Sequence, residues 1–328
     1  MKRQKARKSG EPGKPRSRIL IFDIIRIICI AVIVYDHFRL FWSPAFNALF
    51  FADGMAPGNI YSAGLPGYAV YGLILVSGAV LEYNYQGIEK LHGYLQFLFR
   101  RFIRIYPAFW MSLIFGLILT PALLWTIKPG ALLFEFTGFM VIFGQGNINS
   151  MGWFVGTIIL LYILFPWFSK IMRKYGLAAL VGFCALSWGL RAYTVTIPSL
   201  GLFWRWFPLC NAFEFCLGIY IIQTGFYPKN ETRSRVIRGL SDVTYYVFLF
   251  NALVIQLFAG NQLINGHQNP LLVFDNAIAG GNVAVQASIY YFQMMAGVLA
   301  ISWVAMKIDG RIQRWIMQRD GVRAFLKS

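Results

Sequence analysis

The sequence predicts an all-α fold, a polytopic membrane helical bundle with eight clear spans plus one or two half-spans, eight to ten in total, and both termini cytoplasmic. Three observations predict it. Of 328 residues, 58% are apolar and only 13% charged, at a mean hydropathy of +0.57, whereas a soluble domain carries about 25% charged residues. That leaves too little polar surface to coat a water-soluble globule. The apolar residues fall in runs close to the ~20 residues that a helix needs to cross a bilayer core. The 30 Lys and Arg exceed the 13 Asp and Glu, for a net charge of +17, and they gather in short segments between those runs. This is the positive-inside pattern rather than a basic face tracking a nucleic acid, so membrane lipid is an expected partner and nucleic acid is not.

Residues 1–18 hold eight Lys and Arg against the single acid Glu11, which predicts a disordered basic cytoplasmic tail drawn to anionic headgroups. The apolar run 19–42 is too long for a signal-peptide core and no small-residue cleavage site closes it, so it stays as the first span. Further spans are expected near 66–83, 103–126, 152–169, 176–195, 202–223, 241–260 and 284–306. With the tail inside, the Lys/Arg-bearing segments 84–102, 170–175, 224–240 and 307–328 all fall inside, and the outside loops 43–65 and 261–283 contain neither residue. The sequence thus predicts a multi-pass protein of the cell membrane with a cytoplasmic N-terminus, made of a tail (1–18), a membrane domain (19–306) and a basic cytoplasmic C-terminal segment (307–328). The stretch 131–146 is apolar but short, holds Glu135 and is broken by Gly138 and Gly144. As a full crossing it would put three basic clusters outside, so it is expected as a half-span, with 270–281 a candidate for a second. Cys29, Cys184, Cys210 and Cys216 lie in apolar runs without metal-ligand spacing, so no disulfide, metal site or catalytic thiol is expected.

Within hydrocarbon an ionisable side chain costs on the order of 3 kcal/mol, so each one is a candidate functional residue facing the bundle interior. The first span carries Asp23, Arg26 and His37. Eleven positions at 100° each make almost three turns, which puts Arg26 and His37 on one face roughly 16 Å apart along the axis. Asp23, one turn below Arg26, can pair with it. His37, with an unperturbed pKa of about 6.5, suits proton transfer from a hydroxyl; it equally fits a histidine at the outer interface, with Asp23 and Arg26 as a headgroup-level ion pair. Arg101 and Arg104 share a helix face at a cytoplasmic span end and suit bidentate phosphate binding, or anchor the helix at the inner interface. Glu214 with Asn211, and Trp153 with Tyr162, are possible supporting residues. Glu214 must be paired, protonated or beside water at its depth, and Trp153 also fits an aromatic belt.

These motifs resemble acyltransferase family 3, the multi-span O-acyltransferases. Phe22-Asp23-Ile24-Ile25-Arg26 followed by His37 is similar to the family's Arg-x10-His motif, and Leu75-Val76-Ser77-Gly78 to its Ser-Gly turn. Arg101-x-x-Arg104-Ile105-Tyr106-Pro107 resembles its Arg-x-x-Arg motif. Trp153-Phe154 with Leu161-Tyr162 and Pro166 resembles its Trp-to-Tyr-to-Pro helix, and Phe207-Pro208 through Leu217-Gly218 a later Gly-ended span. Two positions depart from the pattern. Ile158 stands where some members carry Glu, and Asn251 stands where a second His is expected after a stretch resembling Tyr246 to Phe250, which leaves His37 as the intramembrane base.

The resemblance implies that residues 19–306 are a membrane acyltransferase domain, generally of ten spans, that uses acyl-coenzyme A, most often acetyl-coenzyme A, as co-substrate with no bound cofactor. It implies phosphate binding by Arg101 and Arg104, with Arg26 near the pantetheine entrance, Asp23 orienting it, and His37 acting as general base or transient acyl carrier. The acceptor is expected to be a hydroxyl of a glycan, a lipid-linked sugar or a similar molecule. Glu214 is a weak candidate to orient His37, and Asp36, 100° round the helix, is not one. A second class, a non-enzymatic transporter or flippase for an anionic or lipid-linked substrate, shares the intramembrane charges and half-spans.

Overall fold

The computed structural model of the chain describes residues 18–41, 64–85, 88, 90–139, 148–196, 207–259, 263–264, 267–268, 280 and 282–327. Among these residues the fold is helical apart from a two-residue antiparallel ladder, β1 (Leu263–Ile264) against β2 (His267–Gln268). The long helices are α1 (Leu20–Phe41), α2 (Gly64–Asn84), α3 (Leu91–Leu119), α6 (Gly152–Tyr175), α7 (Leu177–Thr196), α9 (Arg235–Ala259) and α10 (Val283–Gln318). The 13-residue α8 (Ala212–Thr224) joins them in the bundle, and α4 (Leu123–Thr126), α5 (Pro129–Thr137) and α11 (Asp320–Lys327) are short. Four stretches, Leu91–Leu119, Gly152–Tyr175, Leu177–Thr194 and Tyr291–Gln318, are long and apolar enough to cross a membrane. This is a membrane protein.

Side-chain register gives the helix directions. Asp23 meets Ser241 and His37 meets Asn251, so α1 and α9 run parallel. Tyr162 meets Ser77 while Ser169 meets Glu82, so α6 runs with α2, and Gly218 against Leu75 with Gln223 on Glu82 makes α8 run the same way. Around the bundle α1, α3, α7 and α9 point one way and α2, α6, α8 and α10 the other. Five of them, α1, α2, α6, α3 and α9, pack in sequence around a closed ring, with α7 and α8 outside α2 and α6, and α10 outside α3 and α9.

Several expected boundaries move. The span expected at 103–126 is part of a helix that begins at Leu91 and ends at Leu119, because Pro121 biases Thr120 away from the helical region and Thr120 adopts φ −132°. Its first three turns carry apolar residues at helical spacing among Arg, Gln and His, all compatible with a helix outside an apolar window. Where 202–223 was expected, the described part is a 3-10 turn (Pro208–Asn211) and then α8, since Pro208 brings no N–H to a longer helix. Residues 307–318 continue α10 and α11 follows, its Phe325 set edge-on against the His92 and Phe99 rings of α3. Of the half-span expected at 131–146, the described part overlaps α5, nine residues closed by Gly138 at φ +76° and about 14 Å long; residues 140–146 lie outside the described residues. Most of 270–281 lies outside the described residues.

The tightest helix contact joins α2 to α8. A Cβ on Gly78 would strike the Phe215 carbonyl, and one on Gly218 would strike the Leu75 carbonyl and the Ala79 amide. Small residues at such crossings let backbones approach, which is what holds membrane helices together without a hydrophobic drive. Gly78→Val and Gly218→Val are each expected to destabilise the bundle by about 1–3 kcal/mol or more. Thermal unfolding of detergent-solubilised protein measures this, with Gly182→Val, at a site whose added Cβ meets nothing within 4 Å, as the unaffected control.

Candidate active site

Inside the five-helix ring lies a cavity of about 750 Å³, within the usual range for small-molecule and cofactor sites. Its mouth is basic. Arg18, Arg26, Arg100, Arg101 and Arg104 line it, against Asp23 and Asp242 as the lining carboxylates. Helix geometry assembles this cluster: Arg101 and Arg104 sit one turn apart on α3, and Arg26 faces them from α1. Arg101 donates from Nη2 to the Tyr85 hydroxyl at 2.6 Å, with its guanidinium carbon 4.8 Å from the centre of the Tyr85 ring, while its buried Nε has no acceptor. Arg104 is exposed and pairs with no carboxylate among the described residues. A site with unneutralised guanidiniums at its mouth attracts anions, and phosphates above all.

Asp23 meets Arg26 as expected, but most of its contacts are to other residues. It is 2% exposed and accepts from Arg18 through both oxygens at 2.7 and 3.1 Å, from Thr232 at 2.6 Å and from Ser241 at 2.7 Å. Arg26 reaches it only at 3.4 Å. The anticipated Asp23–Arg26 pair is therefore the weakest of these contacts, because Arg18, at the start of α1, wraps back onto the carboxylate. Asp23 ties the foot of α1 to α9 and to the 229–234 segment, where Leu20 N–H also bonds the Asn230 carbonyl.

Deeper in the cavity the Tyr162 hydroxyl lies 2.7 Å from Ser77 Oγ, and Phe154, Ile158 and Phe248 form apolar walls. Trp153 is buried beside Phe154 and does not line the cavity. On α1 the lining ends at Ile30, and on α9 at Phe248. His37 stands seven residues beyond Ile30, about 10 Å further along the axis, with Nδ1 2.5 Å from Asn251 Oδ1. The structure thus brings Asp23, Arg26, Arg101, Arg104 and Tyr162 to one cavity and sets His37 above its closed end.

Glu214 and Asn211 belong to another cluster. Arg191 of α7 donates to Glu214 at 2.8 Å and Asn211 at 3.3 Å, and its guanidinium lies 4.3 Å from the Tyr71 ring centre. Glu214 therefore neutralises a buried arginine and does not orient His37. Sequence reasoning passed over Arg191, although an arginine inside an apolar run near an intramembrane glutamate was a readable signal. It also read Arg18 as tail charge, and it had no means of pairing Asn251 with His37 across 214 residues.

An apolar helical bundle that gathers arginines over an internal cavity, with a hydrogen-bonded histidine on the same helix as one of them, has the parts of a membrane-embedded transferase. Residues 19–233, about two thirds of the chain, match the family model described as an acyltransferase domain, that of acyltransferase family 3. The chain belongs to this family and is an acyltransferase that transfers groups other than amino-acyl groups. No curated protein and no solved structure matches it. The matched segment ends before α9, so Ser241, Tyr245 and Asn251 lie beyond it.

Proposed function

We propose that the protein transfers an acyl group, acetyl in the first instance, from acyl-coenzyme A to a hydroxyl of a glycan, lipid-linked sugar or similar acceptor. The basic cavity mouth, with Arg104 unpaired by any described carboxylate, carries this reading. Arg101 and Arg104 hold the coenzyme's phosphates and Arg26 stands where the pantetheine arm enters. The arm is long enough to span the roughly 16 Å from Arg26 to His37, and its tip reaches the imidazole once Phe248, at the closed end of the cavity one turn below Asn251, turns aside. His37 acts there as general base or as a transient acyl carrier. In the general-base course the acceptor O–H gives its proton to the imidazole as its oxygen bonds the thioester carbonyl carbon. The C–S bond then breaks and the leaving thiolate takes the proton back from the ring.

The chain is proposed to cross the cell membrane eight times, with α5 as a half-span and both termini cytoplasmic. The alternating directions of α1, α2, α3, α6, α7, α8, α9 and α10 support this, as does the collection of Arg18, Arg100, Arg101 and Arg104 at one end of the bundle. Donor then binds from the cytoplasmic end and acceptor approaches His37 from the other, so the acyl group alone crosses.

Turnover of labelled acetyl-coenzyme A by purified protein tests the reaction. Arg101→Ala/Arg104→Ala is expected to weaken donor binding at least tenfold, since a hydrogen bond to a charged group contributes about 1.5–3 kcal/mol and each 1.4 kcal/mol is tenfold. Calorimetric titration measures it, and wild-type affinity in a folded double variant would remove the phosphate role.

A further inference from the structure

The hydrogen bonds around Asn251 decide which nitrogen of His37 is free to react. Asn251 is fully buried on α9. Its amide nitrogen donates to two carbonyls of its own helix, Val247 at 2.9 Å and Phe248 at 2.7 Å, so both of its N–H groups are engaged. Turning the amide over would set its oxygen against those two carbonyl oxygens at the same distances, an arrangement with no hydrogen between acceptors. The amide orientation follows from this network. The oxygen therefore faces His37 Nδ1 at 2.5 Å, and as it can only accept, Nδ1 carries the proton. In the neutral ring the lone pair is then on Nε2.

We propose that Asn251 is the positioning residue of His37: it holds the ring in the Nδ1–H form and makes Nε2 the nitrogen that meets the acceptor hydroxyl. This rests on His37 being the reacting base. The parallel packing of α1 on α9 fixes the pair, because the same two helices are joined a few turns away by Asp23 with Ser241. An amide differs from the carboxylate of a serine-hydrolase triad in that it brings no charge to stabilise an imidazolium. Asn251 supplies orientation and tautomer only. The proton collected at Nε2 is thus left in a ring without a carboxylate on Nδ1, which favours its prompt transfer to the leaving thiolate.

Nitrogen-15 spectra of full-length protein labelled at histidine test the assignment, the His37 signals being identified by their loss in His37→Gln. Wild type is expected to show a protonated Nδ1 and a pyridine-like Nε2 for His37. The opposite tautomer in wild type overturns the proposal without recourse to any further variant. In Asn251→Leu the signals are expected to move to the Nε2–H form that an unrestrained imidazole prefers. kcat is expected to fall by about 10²-fold, within the range general acid–base catalysis supplies, with KM for acetyl-coenzyme A unchanged because the arginine cluster of α1 and α3 lies at the other end of the cavity. Wild-type kcat and unshifted signals in Asn251→Leu would sink the positioning role. Full activity in His37→Gln would instead remove the base itself, and leaves the tautomer measurement standing on its own.

Discussion

His37→Ala is expected to abolish acyl transfer while the bundle remains assembled. The imidazole is the α1 side chain at the far end from the arginine cluster that meets Asn251, and general acid–base catalysis contributes about 10²–10⁴ in rate. The structural cost is smaller. Its hydrogen bond to Asn251 is lost, leaving the buried Asn251 oxygen without its donor, for about 1–3 kcal/mol. His37→Gln restores a donor of similar reach and is expected to recover that stability without the activity. Labelled acetyl-coenzyme A turnover and the size-exclusion profile, measured on both variants, separate the two effects. A folded His37→Ala protein turning over at the wild-type rate would remove His37 from the mechanism.

Asp23→Ala, by contrast, is expected to fail at the level of folding. Four of the contacts to this 2%-exposed carboxylate are 3.1 Å or shorter and come from three separate segments of the chain. Removing the carboxylate leaves the buried Thr232 and Ser241 hydroxyls without their acceptor, at about 1–3 kcal/mol for each buried group left unsatisfied, while Arg18, 30% exposed, keeps Asp242 at 2.6 Å. The loss is a sizeable fraction of the 5–15 kcal/mol by which a typical domain is stable. The variant should lose its monodisperse profile or unfold at a much lower temperature. Arg26→Ala, which gives up only a 3.4 Å contact to the same carboxylate, should stay folded. An Asp23→Ala protein of wild-type stability but no activity would return Asp23 to the catalytic role that its position beside Arg26 first implied.

The difference between these two residues marks what could be read in advance. Asp23, Arg26 and His37 stand out as charges in an apolar run, and their shared stripe follows from 100° per residue. Which neighbour each one binds depends on segments far away in sequence. Ser241 and Thr232 decide the fate of Asp23, and Arg191, on the helix before, decides that of Glu214. The Arg101–Arg104 pair was legible because an i,i+3 spacing is a local fact. Its surroundings, including Tyr85 and a cavity closed by Phe154, Ile158 and Phe248, were not.

Composition, run length and charge placement by themselves determined the all-helical membrane class, and the order and spacing of the arginines and the histidine determined the family. Both are written into the chain within a helical turn or a span length. The tertiary structure alone decided that the arginines open onto one cavity, that Asp23 ties the foot of α1 to α9, and that Asn251 faces His37. Helix–helix register sets those contacts, and register depends on where backbones can approach, as at Gly78 and Gly218, which no periodicity within a single helix encodes.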